Sequence, residues 1–269
     1  MSDEWVKERV RIVDDRAQKR KSSVGVLVTA HHGQLIFLES CLKSVRGLGW
    51  TILLYDNPAQ QFTKNLPKEK HYNLIDQFFM KHITKEMPGP TYPQFWHYRA
   101  GVDLLRDTDN EYIFTIGADC VLERPEGIEE LKSILGDGDI LACSSKNDRH
   151  KELFCGTKSF LVKKKAFLMI VDYLQTLFDP FKDIGNMENR FGRTIRDLGI
   201  KEVIAPKMPN DDQFSYSYDA EGNCVDRGTW GEVLGFRHLA GEYKIRGIKN
   251  LKQVEEKYFD KEYLGKIVL

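Results

Sequence analysis

Asp119 has the most suggestive setting of any ionisable side chain in this sequence. It ends the stretch YIFTIGAD, in which Tyr112 to Ile116 could form a buried strand and run straight into Gly117, Ala118 and Asp119. An apolar run bounded by turn residues predicts an interior strand of a parallel sheet. A carboxylate at the carboxyl end of such a strand stands where open α/β sheets place their ligands, and small residues before it let a bulky group approach the backbone. Taken singly, an Asp ending a strand is more often an ordinary loop residue. Two further strand-like runs also end in polar residues: Val24 to Val28 in Thr29-Ala30-His31-His32, and Thr51 to Tyr55 in Asp56-Asn57-Pro58. In a parallel sheet the three ends emerge on one edge and converge without being near in sequence. Asp56 could accept hydrogen bonds from a ribose or a base imide, although a turn-former before Asn57-Pro58 needs no such partner. His31-His32 reads most simply as loop filler or packing.

The elements that must position these groups follow from the periodicity. Between the first two strands, Leu35, Leu38, Leu42 and Val45 recur on one helical face, which Gly47 and Gly49 stop. The chain therefore opens β-α-β, the pattern of a parallel, helix-flanked sheet. Residues 58–92 are less regular, with one modest apolar stretch around Leu74 and Phe78. Pro88, Pro90 and Pro93 mark a rigid loop before a helix carrying Phe95, Val102 and Leu105. After Asp119, Pro125 suits the first turn of a helix with Ile128, Leu131 and Leu135 inward. Strands are expected at Asp139–Cys143, Lys158–Val162 and Lys201–Ala205. Helices are expected over Phe167–Leu177 and Met187–Leu198. Gln213–Tyr218 alternates polar and aromatic residues, and Ala220-Glu221-Gly222-Asn223 could return it as a hairpin. Residues 1–22 read as an amphipathic helical arm, 23–248 as one α/β domain with a mostly parallel sheet, and 249–269 as a terminal helix on that domain.

The totals agree with an ordinary globular protein. At 269 residues, 41% hydrophobic, 30% charged and with zero net charge, the chain can bury a large core and has no disordered or strongly basic signature. No apolar run approaches a membrane span, and the opening MSDEWVKERV is too charged for a signal peptide. Five cysteines, with no C-x-x-C pair, fit reduced and mostly buried thiols, hence a cytoplasmic location. The sequence contains no P-loop, no well-placed dinucleotide loop, no nucleophile elbow and no H-E-x-x-H.

Taken in order, several segments resemble GT-A-fold glycosyltransferases of the family 2 type, which transfer a sugar from a nucleoside diphosphate. They are the first strand with its Thr29-Ala30 end, Asp56, WHYRAGVDLL followed by YIFTIGADCVL, KSFLVKKKAFL, MENRFGRTIRDLG and GFRHLAGEYK. The resemblance covers roughly residues 24–245. It implies a GT-A-like sheet and a hexosyltransferase-type activity on a nucleoside-diphosphate sugar, by default a UDP-sugar. Its strand ends in Asp-x-Asp, whose last carboxylate grips a divalent cation on the diphosphate. Asp119 matches that last position, while Gly117 replaces the first carboxylate. His238 matches a histidine that completes the metal shell, and a carboxylate with an imidazole suits Mn²⁺ or Mg²⁺, Mn²⁺ better. Thr29, Ala30, His31, Asp56, Arg99, Gly117, Ala118, Gly156 and Lys244 fall on the donor side.

An inverting transfer needs a base opposite the departing diphosphate. The resemblance supplies a Glu-Asp pair, which here is Glu188-Asn189, and an amide cannot take the proton. Glu188, Asp183 or Asp212 could serve, although Glu188 could equally be a charge stabilising a helix N-terminus. The implied acceptor is a glycan or another soluble polymer, and a hydroxymethylated base in DNA has a chemically equivalent hydroxyl. Two other classes stay open: a sugar nucleotidyltransferase, which would want a Gly-rich basic loop after the first strand, and a non-catalytic sugar-nucleotide-binding protein, which Gly117 and Asn189 would suit.

Overall fold

The computed structural model describes residues 22–30, 37–55, 71–73, 91–142, 144–146, 153–155, 159–177, 187–204, 217–218, 224–226 and 233–239. The proposed arm at 1–22 lies outside them except for Ser22, and the terminal helix at 249–269 lies wholly outside.

Strand β1 (Val24–Ala30), helix α1 (Leu38–Val45) and strand β2 (Trp50–Tyr55) form the expected β-α-β opening, and β1 pairs in parallel with β2 from Gly25↔Trp50 to Ala30↔Tyr55. The short β3 (His71–Asn73) extends the sheet beside β2. Helix α2 (Thr91–Leu105) then leads to β4 (Tyr112–Gly117), which pairs in parallel with the other side of β1. Pro93 lies inside the first turn of α2, where a missing N–H costs nothing, and not in the loop that the three prolines suggest.

The remaining strands are β5 (Cys120–Leu122), β6 (Ile140–Ala142), β7 (Ser144–Lys146), β8 (Leu153–Cys155), β9 (Ser159–Lys163), β10 (Glu202–Ile204), β11 (Ser217–Tyr218), β12 (Cys224–Asp226) and β13 (Phe236–His238). Helices α3 (Ile128–Leu135), α4 (Lys164–Leu177) and α5 (Met187–Asp197) complete the described elements, with Pro125–Gly127 forming a 3-10 turn ahead of α3. The main sheet has the order β10-β6-β9-β4-β1-β2-β3. Strand β9 runs antiparallel to both β4 and β6, while the other pairings are parallel. The hairpin expected near residues 213–226 is present as the antiparallel pair β11–β12.

Strands buried on both faces explain the near-continuous apolar runs. Side chains alternate across the pleat, so Val24, Val26, Val28, Phe114 and Ile116 face one way and pack with Leu38, Leu42 and Val45 of α1 and Leu131 and Leu135 of α3. Leu27, Ile52, Leu54, Ile113, Phe160 and Val162 face the other way, against α2, α4 and α5. In this second layer Tyr98, Phe160, Phe167 and Phe191 form an aromatic cluster. Tyr98 lies 5.7 and 5.8 Å from Phe160 and Phe167 edge-on, and Phe160 lies 5.1 Å from Phe191. Gly101 lets α2 cross β1 closely: a Cβ there would stand 2.7 Å from a Leu27 methyl, which would have to shift. None of the helices among the described residues is long and apolar enough to cross a membrane.

Candidate functional site

The parallel register brings the strand ends together as the sequence suggests. Thr29 of β1 stands beside Gly117 of β4 and Leu54 of β2. The Ala118 N–H donates to the Thr29 carbonyl at 2.8 Å, so the chain turns at Gly117-Ala118-Asp119 immediately beyond the sheet edge. Asp119 follows with only 3% of its surface exposed, and Ala118 is buried entirely. A carboxylate so enclosed is retained as a charge only where hydrogen-bond donors or cations surround it.

Strand β5 departs from this turn and is covered by β13, which arrives from more than a hundred residues away. The antiparallel register is Phe236↔Leu122, Arg237↔Val121 and His238↔Cys120. The Leu239 N–H donates to the Asp119 carbonyl at 2.8 Å. The backbone of His238 is thereby set against the Asp119-Cys120 peptide, a juxtaposition that sequence spacing alone cannot reveal. An ion pair between Arg237 and Glu123, at 3.4 Å, flanks the ribbon. Gly235, with φ of +59°, makes the turn into β13 in a conformation that favours glycine.

Two thiols border the same turn. Cys120 Sγ lies 3.6 Å from Asp119 Oδ1, and Cys41 Sγ of α1 lies 3.6 Å from the Gly117 carbonyl oxygen. Both cysteines are buried thiols. Burial, and then the negative charge of Asp119, push the Cys41 thiol far above its usual range. Sequence reading treated these cysteines only as core residues; the one available signal was that Cys120 directly follows Asp119.

Helix α5 packs on the other face of the sheet. Its carboxyl end leads to Lys201, whose carbonyl accepts from the Asp139 N–H at 2.7 Å at the edge where β6 begins. The 11-residue helix packs beside β8, and its first turn begins at Met187. Glu188, part-buried, is in that first turn. The adjacent Asn189 has its Oδ1 buried with no hydrogen-bond partner among the described residues. Arg190 follows, and burial, then the charge of Arg193, lower the pKa of its guanidinium below the usual arginine range.

Arg99 is placed differently. Its guanidinium is held between helices, 2.6 Å from Asp172 of α4 and 3.0 Å from Asp103, and Asp172 also meets Arg106 at 3.4 Å. His31, Asp56, Gly156, Asp183, Asp212 and Lys244 lie outside the described residues, as does the side chain of His238. No cluster of three or more His, Cys, Asp or Glu side chains with metal-binding geometry occurs among the described residues.

No family model matches the sequence, and no curated protein matches it either. Solved structures do share its fold. The galactosyltransferase LgtC in complex with donor and acceptor sugar analogs superposes with a TM-score of 0.52 at 13% identity, covering 90% of this chain and 100% of that one. An active-site mutant of LgtC gives 0.50 at 13% identity with the same coverage. A 4-diphosphocytidyl-2C-methyl-D-erythritol synthase from Anaerococcus prevotii overlaps more weakly, with a TM-score of 0.43 and 12% identity over 68% of this chain and 89% of that one. The chain has a GT-A-like fold, the one it shares with the LgtC structures.

Proposed function

We propose that the protein is a glycosyltransferase that moves a sugar from a nucleoside-diphosphate sugar to an acceptor hydroxyl with the help of a divalent cation. The observation that carries this is the meeting of Asp119, buried at the end of β4, with the His238 backbone across the β5–β13 ribbon. A carboxylate and an imidazole on adjoining strands fit Mn²⁺ or Mg²⁺, with substrate phosphates and waters as further ligands. When bound, the cation would offset the negative charge left on the diphosphate as the sugar departs.

The remaining roles belong to the chain's own groups. Thr29, Ala30, Gly117 and Ala118, small residues at the carboxyl ends of β1 and β4, belong to the donor side. His31 and Asp56 follow the ends of β1 and β2 and belong to the same donor-side group, with Gly156 and Lys244. UDP is the default base. Glu188 is the preferred base for the acceptor proton in an inverting transfer, with Asp183 and Asp212 as the other carboxylates able to serve. Residues 23–248 make up the catalytic domain. The acceptor is a glycan or another soluble polymer, with a hydroxymethylated base as one such hydroxyl.

The test is release of sugar from UDP-glucose, UDP-galactose and GDP-mannose with Mn²⁺, comparing the wild type with Asp119→Asn and Glu188→Gln. Metal-dependent release lost in Asp119→Asn supports the proposal. Tight donor binding without hydrolysis or transfer would instead indicate a non-catalytic binding protein, and release of pyrophosphate from a nucleoside triphosphate would indicate a nucleotidyltransferase.

A further inference from the structure

We infer that Cys120 is a positioning residue for Asp119, its thiol donating to Oδ1 of the neighbouring carboxylate and fixing the rotation of that group. The functional value of this contact rests on the proposed role of Asp119 as a cation ligand; the contact itself does not. Three observations converge. Cys120 Sγ is 3.6 Å from Asp119 Oδ1, within reach of a sulfur donor, and both residues are enclosed, at 0% and 3% exposure. Strand β13 pins the backbone from outside through His238↔Cys120 and the Leu239 N–H to the Asp119 carbonyl. On the inner side, Cys41 lies 3.6 Å from the Gly117 carbonyl and ties α1 to the same turn.

The choice of sulfur follows from the surroundings. Cys41 and Cys120 belong to the apolar layer with Val28, Leu38 and Ile116. A hydroxyl there would bring a stronger acceptor oxygen into an apolar setting, whereas a thiol packs as a small apolar group and still offers one weak donor. The pair is almost wholly enclosed, so even a weak donor to a carboxylate counts for more than it would in solvent. Outer hydrogen bonds of this kind fix which way a ligand carboxylate faces, and their removal typically lowers metal affinity about 10- to 100-fold. Because a thiol is a weak donor, we expect the lower end, about tenfold.

Two measurements decide the matter. The S–H stretch of Cys120, assigned by its disappearance in Cys120→Ser, should sit at lowered frequency in the wild-type protein without metal and move upward in Asp119→Asn. An unmoved band would overturn the inference. Separately, Mn²⁺ titration of the donor-free protein by electron paramagnetic resonance should show about tenfold weaker binding in Cys120→Ala. Cys120→Ser, which keeps a donor, should restore it, with near-ultraviolet circular dichroism confirming native packing in both. Equal Mn²⁺ affinity in all three proteins would also overturn the inference while leaving the proposed function intact. A wild type that shows the shifted band but takes no Mn²⁺ would uphold the thiol–carboxylate contact and remove the cation from the proposed function.

Discussion

The Leu239 amide donates to the Asp119 carbonyl at 2.8 Å, joining the end of β13 to the turn that follows β4. The pairing beside it sets His238 opposite Cys120. If the two residues share a cation, Asp119→Asn and His238→Ala should each lower metal-dependent turnover by about 10²–10³, the usual effect of removing one group that stabilises developing charge. Mn²⁺ dependence of sugar release measures this. Turnover that persists without added metal in both variants would count against shared ligation.

Glu188 lies in the first turn of α5 beside the amide-bearing Asn189. If Glu188 is the base, Glu188→Gln keeps the shape and removes it, so transfer should fall by about 10²–10⁴ with donor affinity unchanged. Asn189→Asp places a carboxylate next to it and should partly rescue the Glu188→Gln background. If Glu188→Gln transfers at the wild-type rate, the proton goes elsewhere, and Asp183 and Asp212 become the residues to substitute.

Phe160 touches Tyr98, Phe167 and Phe191 and is wholly buried. Phe160→Ala should cost about 3–5 kcal/mol of stability, combining lost transfer energy with an unfilled cavity. Urea unfolding followed by fluorescence gives the value directly. A loss below about 1 kcal/mol would show that the aromatic layer closes over the gap.

Gly127 permits a close backbone crossing. A Cβ at this position would stand 2.2 Å from the Val233 carbonyl oxygen, which is main chain and cannot swing aside. Gly127→Ala should therefore push Val233–Leu234 outward and disturb β13. Strain of this kind costs roughly 1–3 kcal/mol. The distinguishing sign is a loss of Mn²⁺ affinity larger than that of an equally destabilised variant in the aromatic layer, such as Phe167→Leu.

Cys41 should resist alkylation in the folded protein and react only on unfolding, since its thiol is wholly buried and holds its proton far above the ordinary 9.0. The sign for stability follows. Below about 9 both folded and unfolded states keep the proton, and the contribution is complete. Above that value the unfolded state loses its proton first, so stability declines as pH rises further. Denaturant midpoints for the wild type and Cys41→Ala from pH 7 to 10 should converge as pH increases. Parallel curves would place the thiol in a more hydrated setting.

Much of this architecture was legible in the sequence because hydrophobic alternation in a doubly covered sheet leaves few choices. The runs at Val24–Val28 and Tyr112–Ile116 are unbroken because both faces are buried, and the α1, α3 and α5 stripes fall at helical spacing. The antiparallel course of β9 was not legible, since strand direction depends on where the preceding chain travels and not on composition. Nor were the three-residue strands β5, β7 and β8, which are too short for periodicity to register. Asp119 stood out because a lone carboxylate ends an apolar run. Its neighbours in space were hidden for the opposite reason: Cys41 lies 76 residues from Gly117, and its role comes from a helix packing onto a strand end. The partners of Arg99 were hidden in the same way: Asp172, 73 residues on, meets it because two helices pack together.

The β5–β13 ribbon has a consequence for assembly. It consists of three residue pairs closing a very long loop, with Arg237 and Glu123 separated by 114 positions. Loop closure of that length is entropically costly and gives little in return until the whole ribbon docks. The seven-stranded sheet can therefore form during synthesis before His238 has left the ribosome. In the finished molecule such a small unit opens without global unfolding, so the Leu239 amide should exchange its hydrogen well before the amides of β4.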